Sequence, residues 1–395
     1  MAMVSRRMMI AGGVGAAAVA GLGYRIWDRG VFAGPGGAPY EAWAQWRGSI
    51  VDGIARPLSA AILAANPHDT QPWLFEVGDE QITVHADRAR NLGSFDPFRR
   101  EMHLGIGAAI ENLVRAAGVY GYTPYVRPVA GRLTLSPPDV PKPVAHITLD
   151  PGAPGRDALY EAIPDRHTNR SVYREKALAS GVKAMLAASI ADLEVRVAFF
   201  DDARARKDLA GLIVDATQRI VADPQMSADS AHWIRTGRRE VEEHRDGVTV
   251  DAAGLSPATV MLGKLLPDLG PASQDVYWLA NTRDIQTHAP LLGMILVKDR
   301  LDMASSIAAG RAWQRMHLAA AAAGLAAQPL NQPVECIDRN AMLGRPDTYQ
   351  AALVGMARAP GWQPTFVFRM GYAENPAPLS PRRPLAAVMK SSGYA

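Results

Sequence analysis

The spacing of apolar and polar positions along the chain predicts a protein that mixes helices with strands. Two long stretches, from about Arg99 to Tyr120 and from Ser305 to Ala323, have helical spacing and are rich in small residues. Small side chains let helices approach closely, so both stretches are predicted to be central packing helices. Further helices are predicted over 50–65, 177–191 and 203–221, and strands over 72–77, 82–86, 125–127, 146–149, 194–200, 291–297 and 364–372. The pattern as a whole indicates an α+β fold.

The two long helices share a plan, with glycine early, an alanine-rich middle and glycine at the end. We interpret this as a degenerate internal repeat. A chain of 395 residues can bury two cores. We therefore predict an N-terminal half over 50–160 and a C-terminal half over 161–395, preceded by a linker over 28–49. The polar stretch 223–285 is predicted to be a lid-like insertion over a ligand.

The first 27 residues have the features of an export signal. Ser5-Arg6-Arg7-Met8-Met9-Ile10 is a twin-arginine pattern, and a weakly hydrophobic run follows it from Ala11 to Gly23. A chance pair of arginines before an apolar stretch is the alternative. We predict export by the twin-arginine route to the periplasm or the cell exterior. The segment is either cleaved near Ala18-Val19-Ala20 or kept as a membrane anchor.

Composition narrows the classes of function. The chain is 48% hydrophobic and 21% charged, as expected of a folded protein. The formal net charge is only +3, and no basic run is interleaved with aromatic residues, so nucleic acid is not predicted as a partner. The single cysteine, Cys336, excludes an internal disulfide framework. No cysteine and histidine spacing matches a zinc site, so no metal is predicted.

Candidate chemistry begins with the stretch from Asp165 to Tyr173. Arg166 and Arg170 lie four residues apart, and Thr168 and Asn169 stand between them. Arginine makes forked, charge-assisted hydrogen bonds to phosphate oxygens, and the hydroxyl and amide add neutral ones. Thr168 or Asn169 could also cap a helix whose N-terminus favours an anion. The stretch predicts a phosphate monoester site, and the alternative is a solvated basic loop.

A second stretch, Ala64-Ala65-Asn66-Pro67-His68-Asp69-Thr70-Gln71-Pro72-Trp73, gives the first one a context. Together they resemble the paired signatures of the nitroreductase superfamily of FMN enzymes. In that family an R-H-S-x-K/R type segment grips the FMN phosphate, and an A-P-S-x-x-N-x-Q-P-W segment lies against the flavin ring. Here the Q-P-W segment precedes the phosphate segment. This order is similar to that of the Acg-like subset, in which two related halves are fused.

The resemblance covers roughly residues 50–390 and implies a nitroreductase-like fold. In it the two halves form a pseudo-dimer around the central small-residue helices. One polypeptide would then build one composite FMN site, which favours a monomer. The sequence departs from the family in the ring loop, where the usual Pro-Ser is Ala65-Asn66 and the usual Asn is Asp69.

Site residues follow from the resemblance, segment by segment. The phosphate and ribityl contacts are assigned to Arg166, His167, Thr168, Asn169 and Arg170, with the basic pair Arg382 and Arg383 closing on the phosphate. The ring contacts are assigned to Asn66, Pro67, His68, Asp69 and Gln71, and the loop that bonds flavin N5 to Pro329, Leu330, Asn331 and Gln332. Arg235 of the insertion is predicted to lie near N1 and O2 of the flavin.

Several of these residues have a second interpretation. Arg382 and Arg383 could form a solvated tail, and Asn331 and Gln332 could cap a loop. His68 or His167 could relay a proton, and a structural hydrogen bond is the alternative for each.

The function implied is an exported FMN-dependent oxidoreductase that passes hydride through flavin N5 to or from a small organic molecule, such as a nitroaromatic or a quinone. The flavin carries the chemistry, so no catalytic side chain is required. NAD(P)H is cytoplasmic, so we expect a membrane electron donor or an organic substrate, and weak turnover with NADPH. The alternatives are a flavin-sequestering protein, in which the insertion closes over the ring, and a flavin-free interaction protein.

Overall fold

The computed structural model describes residues 21–32, 34–48, 51–265 and 270–390, and its fold is α+β. The labelled α-helices are α1 Glu41–Gln45, α2 Leu58–Ala61, α3 Arg100–Val119, α4 Ala158–Glu161, α5 Val182–Ala188, α6 Ala203–Val221, α7 Pro224–Ala231, α8 Arg238–His244, α9 Pro257–Leu265, α10 Pro271–Asn281, α11 Met303–Ala322, α12 Gln332–Met342 and α13 Tyr349–Ala357. The strands are β1 Trp73–Val77, β2 Gln81–Ala86, β3 Tyr122–Pro128, β4 Lys142–Pro151, β5 Arg196–Phe200, β6 Ile234–Arg235, β7 Val248–Thr249, β8 Leu291–Val297, β9 Ala326–Pro329, β10 Gln363–Gly371 and β11 Met389–Lys390. The twin-arginine pattern lies outside the described residues. Within those residues, no helix has the length and apolar character needed to cross a bilayer.

The centre of the molecule is the crossing of α3 and α11, as the small-residue pattern predicted. A Cβ added at Gly107 would collide with the backbone carbonyl of Ile307, and one added at Gly310 would collide with the carbonyl of Leu104. Each helix therefore presents a glycine where the backbone of the other comes closest. The prediction of two central packing helices is confirmed.

A buried carboxylate joins the same two helices. Glu111 of α3 is fully buried and accepts hydrogen bonds from Nε of Arg315 at 2.8 Å, Arg311 at 3.0 Å and Arg115 at 2.7 Å. Burial alone would raise the pKa of Glu111. Because Arg311, Arg315 and Arg115 outweigh burial, the pKa is lowered to about 2. The crossing is thus held by charge as well as by close packing.

Each long helix packs against its own sheet. The first sheet has the order β11-β1-β2-β4-β3 and lies against α3, and the second has the order β5-β8-β10-β9 and lies against α11. Pairing is antiparallel within both sheets except between β1 and β11, which run parallel with Phe75 opposite Met389. The final strand therefore completes the first sheet.

One sequence-based expectation needed correction, and the structure adds detail to two others. The predicted helix over 50–65 is wrong in extent, because only Leu58–Ala61 is α-helical. Gly53 has a positive φ of 64°, and Pro57 follows it, so the segment bends before the helix begins. The predicted linker 28–49 contains α1, although Trp43 and Trp46 dock into the core as expected. The stretch 223–285, predicted to be a lid-like insertion, contains four short helices, α7 to α10.

Candidate functional site

A cavity of about 480 Å³ is bordered by α3, α12 and helices of the stretch 223–285. Segments far apart in sequence border it: the loop after α2, the first turn of α3, the segment before Ser171, the loop between β9 and α12, and the insertion. The residues assigned in advance that line the cavity are Asn66, Pro67, His68, Thr168, Arg170, Pro329, Asn331 and Gln332. Three predicted segments thus converge on one space.

The loop from Asn66 to Gln71 forms one wall in an unusual backbone conformation. His68, Asp69 and Gln71 have φ values of 47°, 53° and 49°, in the left-handed region. The side chain of Asn66 stabilises the loop, because its Oδ1 accepts from the Gln71 backbone N–H at 2.7 Å and its Nδ2 donates to Asp69 Oδ1 at 3.1 Å. Gly105 of α3 lets the helix lie directly against Pro67, since a Cβ there would be 2.8 Å from Pro67 Cδ.

Two buried arginines hold this loop from behind. Arg382 Nη1 donates to Asp69 Oδ1 at 2.6 Å, and its Nη2 donates to the Ala64 carbonyl at 3.2 Å. Arg166 Nη2 donates to the Leu63 carbonyl at 3.0 Å. Burial, with a further contribution from Arg382, lowers the pKa of Arg166 to about 9. Neither guanidinium lines the cavity, and each donates to the protein, although the Nε of each is buried without a hydrogen-bond partner in the described residues.

Three more of the assigned polar residues lie outside the cavity wall and connect other segments. Gln71 Nε2 donates to the Arg245 carbonyl at 2.8 Å, and the backbone N–H of Arg383 donates to Gln71 Oε1 at 2.7 Å. Arg235 pairs with Asp246 at 2.7 Å instead of facing the cavity. These contacts tie the insertion and the C-terminal segment to the loop.

His167, Asn169 and Leu330 also contact other parts of the protein and not the cavity. His167 Nε2 lies 2.8 Å from the Pro164 carbonyl, and Asn169 Nδ2 donates to the Asn375 carbonyl at 2.7 Å. Leu330 is fully buried in the second core. None of the three lines the cavity.

Arg170 is the cation of the cavity. Among the lining residues that the structure describes, no other is an arginine or lysine. Its Nη1 donates to the Ala252 carbonyl at 3.1 Å, and its remaining N–H groups have no protein acceptor within the described part of the chain. Burial lowers the pKa of Arg170. Thr168 lies beside it and bridges to Ala327 of β9, which fixes the segment against the second sheet.

His68 lines the cavity as an uncharged imidazole at neutral pH. Burial, and then the charge of Arg170, lower its pKa to about 4. Its Nε2 lies 3.4 Å from the hydroxyl of Ser230 in the insertion. The ring is packed edge-on against Phe95, with centroids 5.6 Å apart. In this position His68 can form hydrogen bonds at the wall of the cavity.

The inner end of the cavity holds groups that sequence reasoning missed. Glu101 of α3 and Glu335 of α12 both line it and are both buried. Asn331 links this end to the second sheet, because its Nδ2 donates to Glu101 and its Oδ1 accepts from the Val367 backbone N–H at 3.1 Å. No motif marks these carboxyl groups, since they meet only through the crossing of α3 with the second half.

The insertion supplies the outer wall. Ser227, Ser230, Trp278, Asn281 and Gln286 are among its lining residues. The Trp278 ring lies 6.1 Å from that of Phe95, which anchors α10 to the body. Within the described residues, no group of three or more side chains is arranged to hold a metal ion.

Comparison with known proteins finds mycobacterial relatives that match most of this chain. No family model matches the sequence. The chain is 26% identical over 345 residues to a Mycobacterium tuberculosis protein provisionally named NAD(P)H nitroreductase Rv3131, covering 84% of this chain and 90% of the relative. It is also 26% identical over 347 residues to the provisionally named NAD(P)H nitroreductase Acg of the same organism, covering 85% of this chain and 95% of the relative.

Two solved structures give partial superpositions. The FMN-dependent nitroreductase NfnB from Mycobacterium smegmatis in complex with NADPH is 18% identical, with a TM-score of 0.38, over 60% of this chain and 98% of NfnB. A nitroreductase with bound FMN from Desulfitobacterium hafniense is 11% identical, with a TM-score of 0.35, over 58% of this chain and 95% of the other. The chain is thus similar along most of its length to mycobacterial proteins that carry the nitroreductase name.

Proposed function

We propose that this chain is an FMN-dependent oxidoreductase of the nitroreductase type that acts on a small organic molecule. The observation that carries the proposal is the convergence of the Asn66–His68 loop, the Thr168–Arg170 segment and the Pro329–Gln332 loop on one cavity. By their resemblance to the family motifs, these segments correspond to those that contact the ring, the phosphate and N5. The similarity to the mycobacterial relatives over more than four fifths of the chain supports the same function.

The residues present fit FMN. Arg170 is half-buried and keeps N–H groups free of protein acceptors in the described part of the chain, and Thr168 offers a hydroxyl beside it. A phosphate is the ligand that such a guanidinium prefers. Each charged hydrogen bond would contribute about 1.5–3 kcal/mol. Arg166 and Arg382 contribute to ligand binding indirectly, because they hold the Asn66–His68 loop in place.

The bound flavin would supply hydride acceptance and donation, which no side chain of this protein can supply. The protein itself binds and orients the flavin and the substrate, and it excludes water from them. The Asn66–His68 loop and the Pro329–Gln332 loop form polar walls for a flat ring, and Trp278 and its neighbours in the insertion limit the entry of solvent. His68 donates or accepts a hydrogen bond without carrying charge.

We also infer the domain organisation and the cellular setting. Residues 50–160 and 161–395 form two related halves, a pseudo-dimer whose central helices are α3 and α11, so one chain suffices for one site. The twin-arginine pattern at Ser5–Ile10 directs export, with the segment cleaved or kept as an anchor. An exported enzyme would take electrons from a membrane donor or an organic substrate, and the donor is open.

The first test is the absorbance spectrum of the purified protein with extraction of its cofactor. We expect a yellow protein that releases FMN, and an Arg170→Met variant that keeps its fold but loses most of the flavin. Arg174→Met is the matched control, because Arg174 is exposed in the same segment. Colourless wild-type protein, or full flavin occupancy in Arg170→Met, would contradict the proposal.

A flavin-sequestering protein is the second candidate, and the wall formed by the insertion favours it. Residues from Ser227 to Gln286 border the cavity, so a bound ring would be covered on that side. Reduction of the bound flavin with dithionite, followed by mixing with nitrofurans or quinones, separates the two functions. Rapid reoxidation by at least one acceptor indicates turnover. Slow reoxidation by all of them, with flavin retained, indicates sequestration.

A further inference from the structure

The inner end of the cavity presents two buried carboxyl groups from different halves of the chain. Glu101 is 7% exposed and Glu335 is 6% exposed, and both line the cavity. Glu101 accepts from Asn331 and from Arg100 Nη2 at 3.3 Å. Glu335 Oε2 has no hydrogen-bond partner, and Glu335 has no ion pair within the described residues. The negative charge of Glu101 is thus partly compensated, and that of Glu335 is not.

The charged groups around the pair do not neutralise it. Asp338 forms an ion pair with Arg100, whose Nε lies 2.7 Å from its carboxylate, and a second ion pair with Arg300. Both nearby guanidinium groups are therefore paired with Asp338. Asp96 accepts from the backbone N–H groups of Glu101 at 3.1 Å and Met102 at 2.9 Å. Four carboxyl groups therefore share two cations. A buried charge without a partner is costly, so the cluster must take up either protons or a cationic ligand.

Two further acceptors at the cavity wall lack donors. Gln328 and Gln332 are 3% and 5% exposed, both line the cavity, and the Oε1 of each is buried without a hydrogen-bond partner in the described chain. Buried acceptors are normally paired. The unpaired oxygens, together with Glu335 Oε2, favour a ligand that donates hydrogen bonds.

Aromatic rings line the same cavity. Trp313 and Phe366 line the cavity with ring centroids 4.7 Å apart. The residues on either side of Phe366 contact the acidic cluster, because the Thr365 carbonyl accepts from Arg100 Nη1 at 2.6 Å and Val367 donates to Asn331. Aromatic faces attract cations. A cavity lined by both carboxyl groups and aromatic rings is suited to a flat organic cation.

We propose that the pocket formed by Glu101, Glu335, Trp313 and Phe366 binds a protonated nitrogen of an aromatic or heterocyclic amine. The identification of this ligand as the substrate rests on the proposed function. The small molecule on which the enzyme acts is then an aromatic compound that carries an N–H cation. Arg170 is the one arginine among the described residues that line the cavity. No other arginine among them therefore competes with the ligand's cation for the carboxyl groups.

Binding of the cation is coupled to loss of a proton. Burial is the main cause that raises the pKa of both carboxyl groups, to about 7 for Glu101 and well above the ordinary range for Glu335, where the charge of Glu101 adds to burial. Asp96 and Asp338 act in the same direction, and Arg100 opposes them. Without ligand the pair retains a proton, which an incoming cation displaces. Affinity for the cation therefore rises as the pH rises through about 7.

The test uses calorimetric titration of the whole protein, as purified, with protonated 4-aminoquinoline. The comparison compound is 1-naphthylamine, which has the same shape but is neutral and lacks the ring nitrogen. We expect the cation to bind at least about tenfold more tightly, with an affinity that increases between about pH 6 and pH 8. Glu335→Gln should lower the affinity about tenfold or more and reduce the pH dependence.

Asp208→Asn is the matched control, because Asp208 is an exposed carboxylate 3.9 Å from Arg204 and does not line the cavity. It should change the affinity less than about twofold. Equal binding of the two compounds, or an unaltered affinity in Glu335→Gln, would overturn the inference. FMN content is measured on each sample, so loss of cation binding with flavin retained contradicts this inference alone. A flavin-free wild-type protein contradicts the proposed function instead.

Discussion

Asp69 and Arg382 form a buried ion pair of 2.6 Å between residues 313 positions apart in the chain. The same guanidinium donates to the carbonyl of Ala64, next to the carbonyl of Leu63 that Arg166 contacts. Arginines that the family resemblance assigned to a phosphate thus serve a protein loop. The loop borders the cavity, so these arginines bear on ligand binding through its shape.

Replacing Arg382 with Ala is expected to destabilise the protein by about 3–5 kcal/mol, because it leaves the Asp69 carboxylate buried without its partner. The midpoint of urea unfolding at neutral pH measures the loss. Arg383→Ala is the control, since Arg383 is less buried and its side chain lies 3.6 Å from Asp87. Its effect should be about 1 kcal/mol or less. Equal losses in the two variants would disprove a special role for the Asp69 pair.

Glu111 should make the fold sensitive to acid. Its pKa is held at about 2, below the ordinary 4.5, because three arginines outweigh burial. A carboxyl group with a lowered native pKa stabilises the fold above its ordinary pKa, and this contribution disappears as the pH falls from about 4.5 toward 2. Unfolding measured at steps across that range should show the loss in the wild type and a smaller one in Glu111→Gln. Asp208→Asn, at an exposed site 3.9 Å from Arg204, should follow the wild type.

Gly310→Ala is expected to lower stability by several kcal/mol, because the new methyl group would meet the Leu104 backbone across the helix crossing. Thermal unfolding followed by circular dichroism measures the change. Gly211→Ala in α6 is the matched control, since no atom lies within 4 Å of the added Cβ. It should be neutral or stabilising by about 0.5–1 kcal/mol. A tolerated Gly310→Ala would mean that α3 and α11 can separate without loss.

Trp278→Ala should open the outer wall of the cavity. The ring lines the cavity and is in contact range of Phe95, so its removal admits solvent to a bound flavin. We expect faster quenching of flavin fluorescence by iodide than in the wild type. Val276→Ala on the exposed side of α10 provides the comparison and should leave quenching unchanged. Similar quenching in all three proteins would place the solvent path elsewhere.

Much of the fold could be predicted because its signals are local. The glycines and alanines of α3 and α11 mark a close helix crossing, and the apolar run of β8 marks a buried strand. The predicted helix over 50–65 is too long because the helical spacing continues through Gly53 and Pro57, which precede the α-helical residues. Side-chain partners were less accessible, because they depend on contacts between distant segments.

Arg166 and Arg235 illustrate that limit within the site. Their residue type and spacing fit a phosphate or a flavin, yet one donates to the Leu63 carbonyl and the other pairs with Asp246. Those acceptors become visible only once the halves are assembled. Glu101 and Glu335 were missed for the same reason, since each looks like an ordinary helical glutamate until α3 and α12 bring them together.

The left-handed backbone of His68, Asp69 and Gln71 has a consequence for the order of assembly. Non-glycine residues in such conformations are strained by on the order of 1–3 kcal/mol each, so the segment cannot adopt its shape unaided. Asn66 supplies part of the restraint from within the loop, and Arg382 supplies another part from more than 300 residues further along the chain. The loop therefore reaches its full set of contacts only after Arg382 has been synthesised and has folded back onto it.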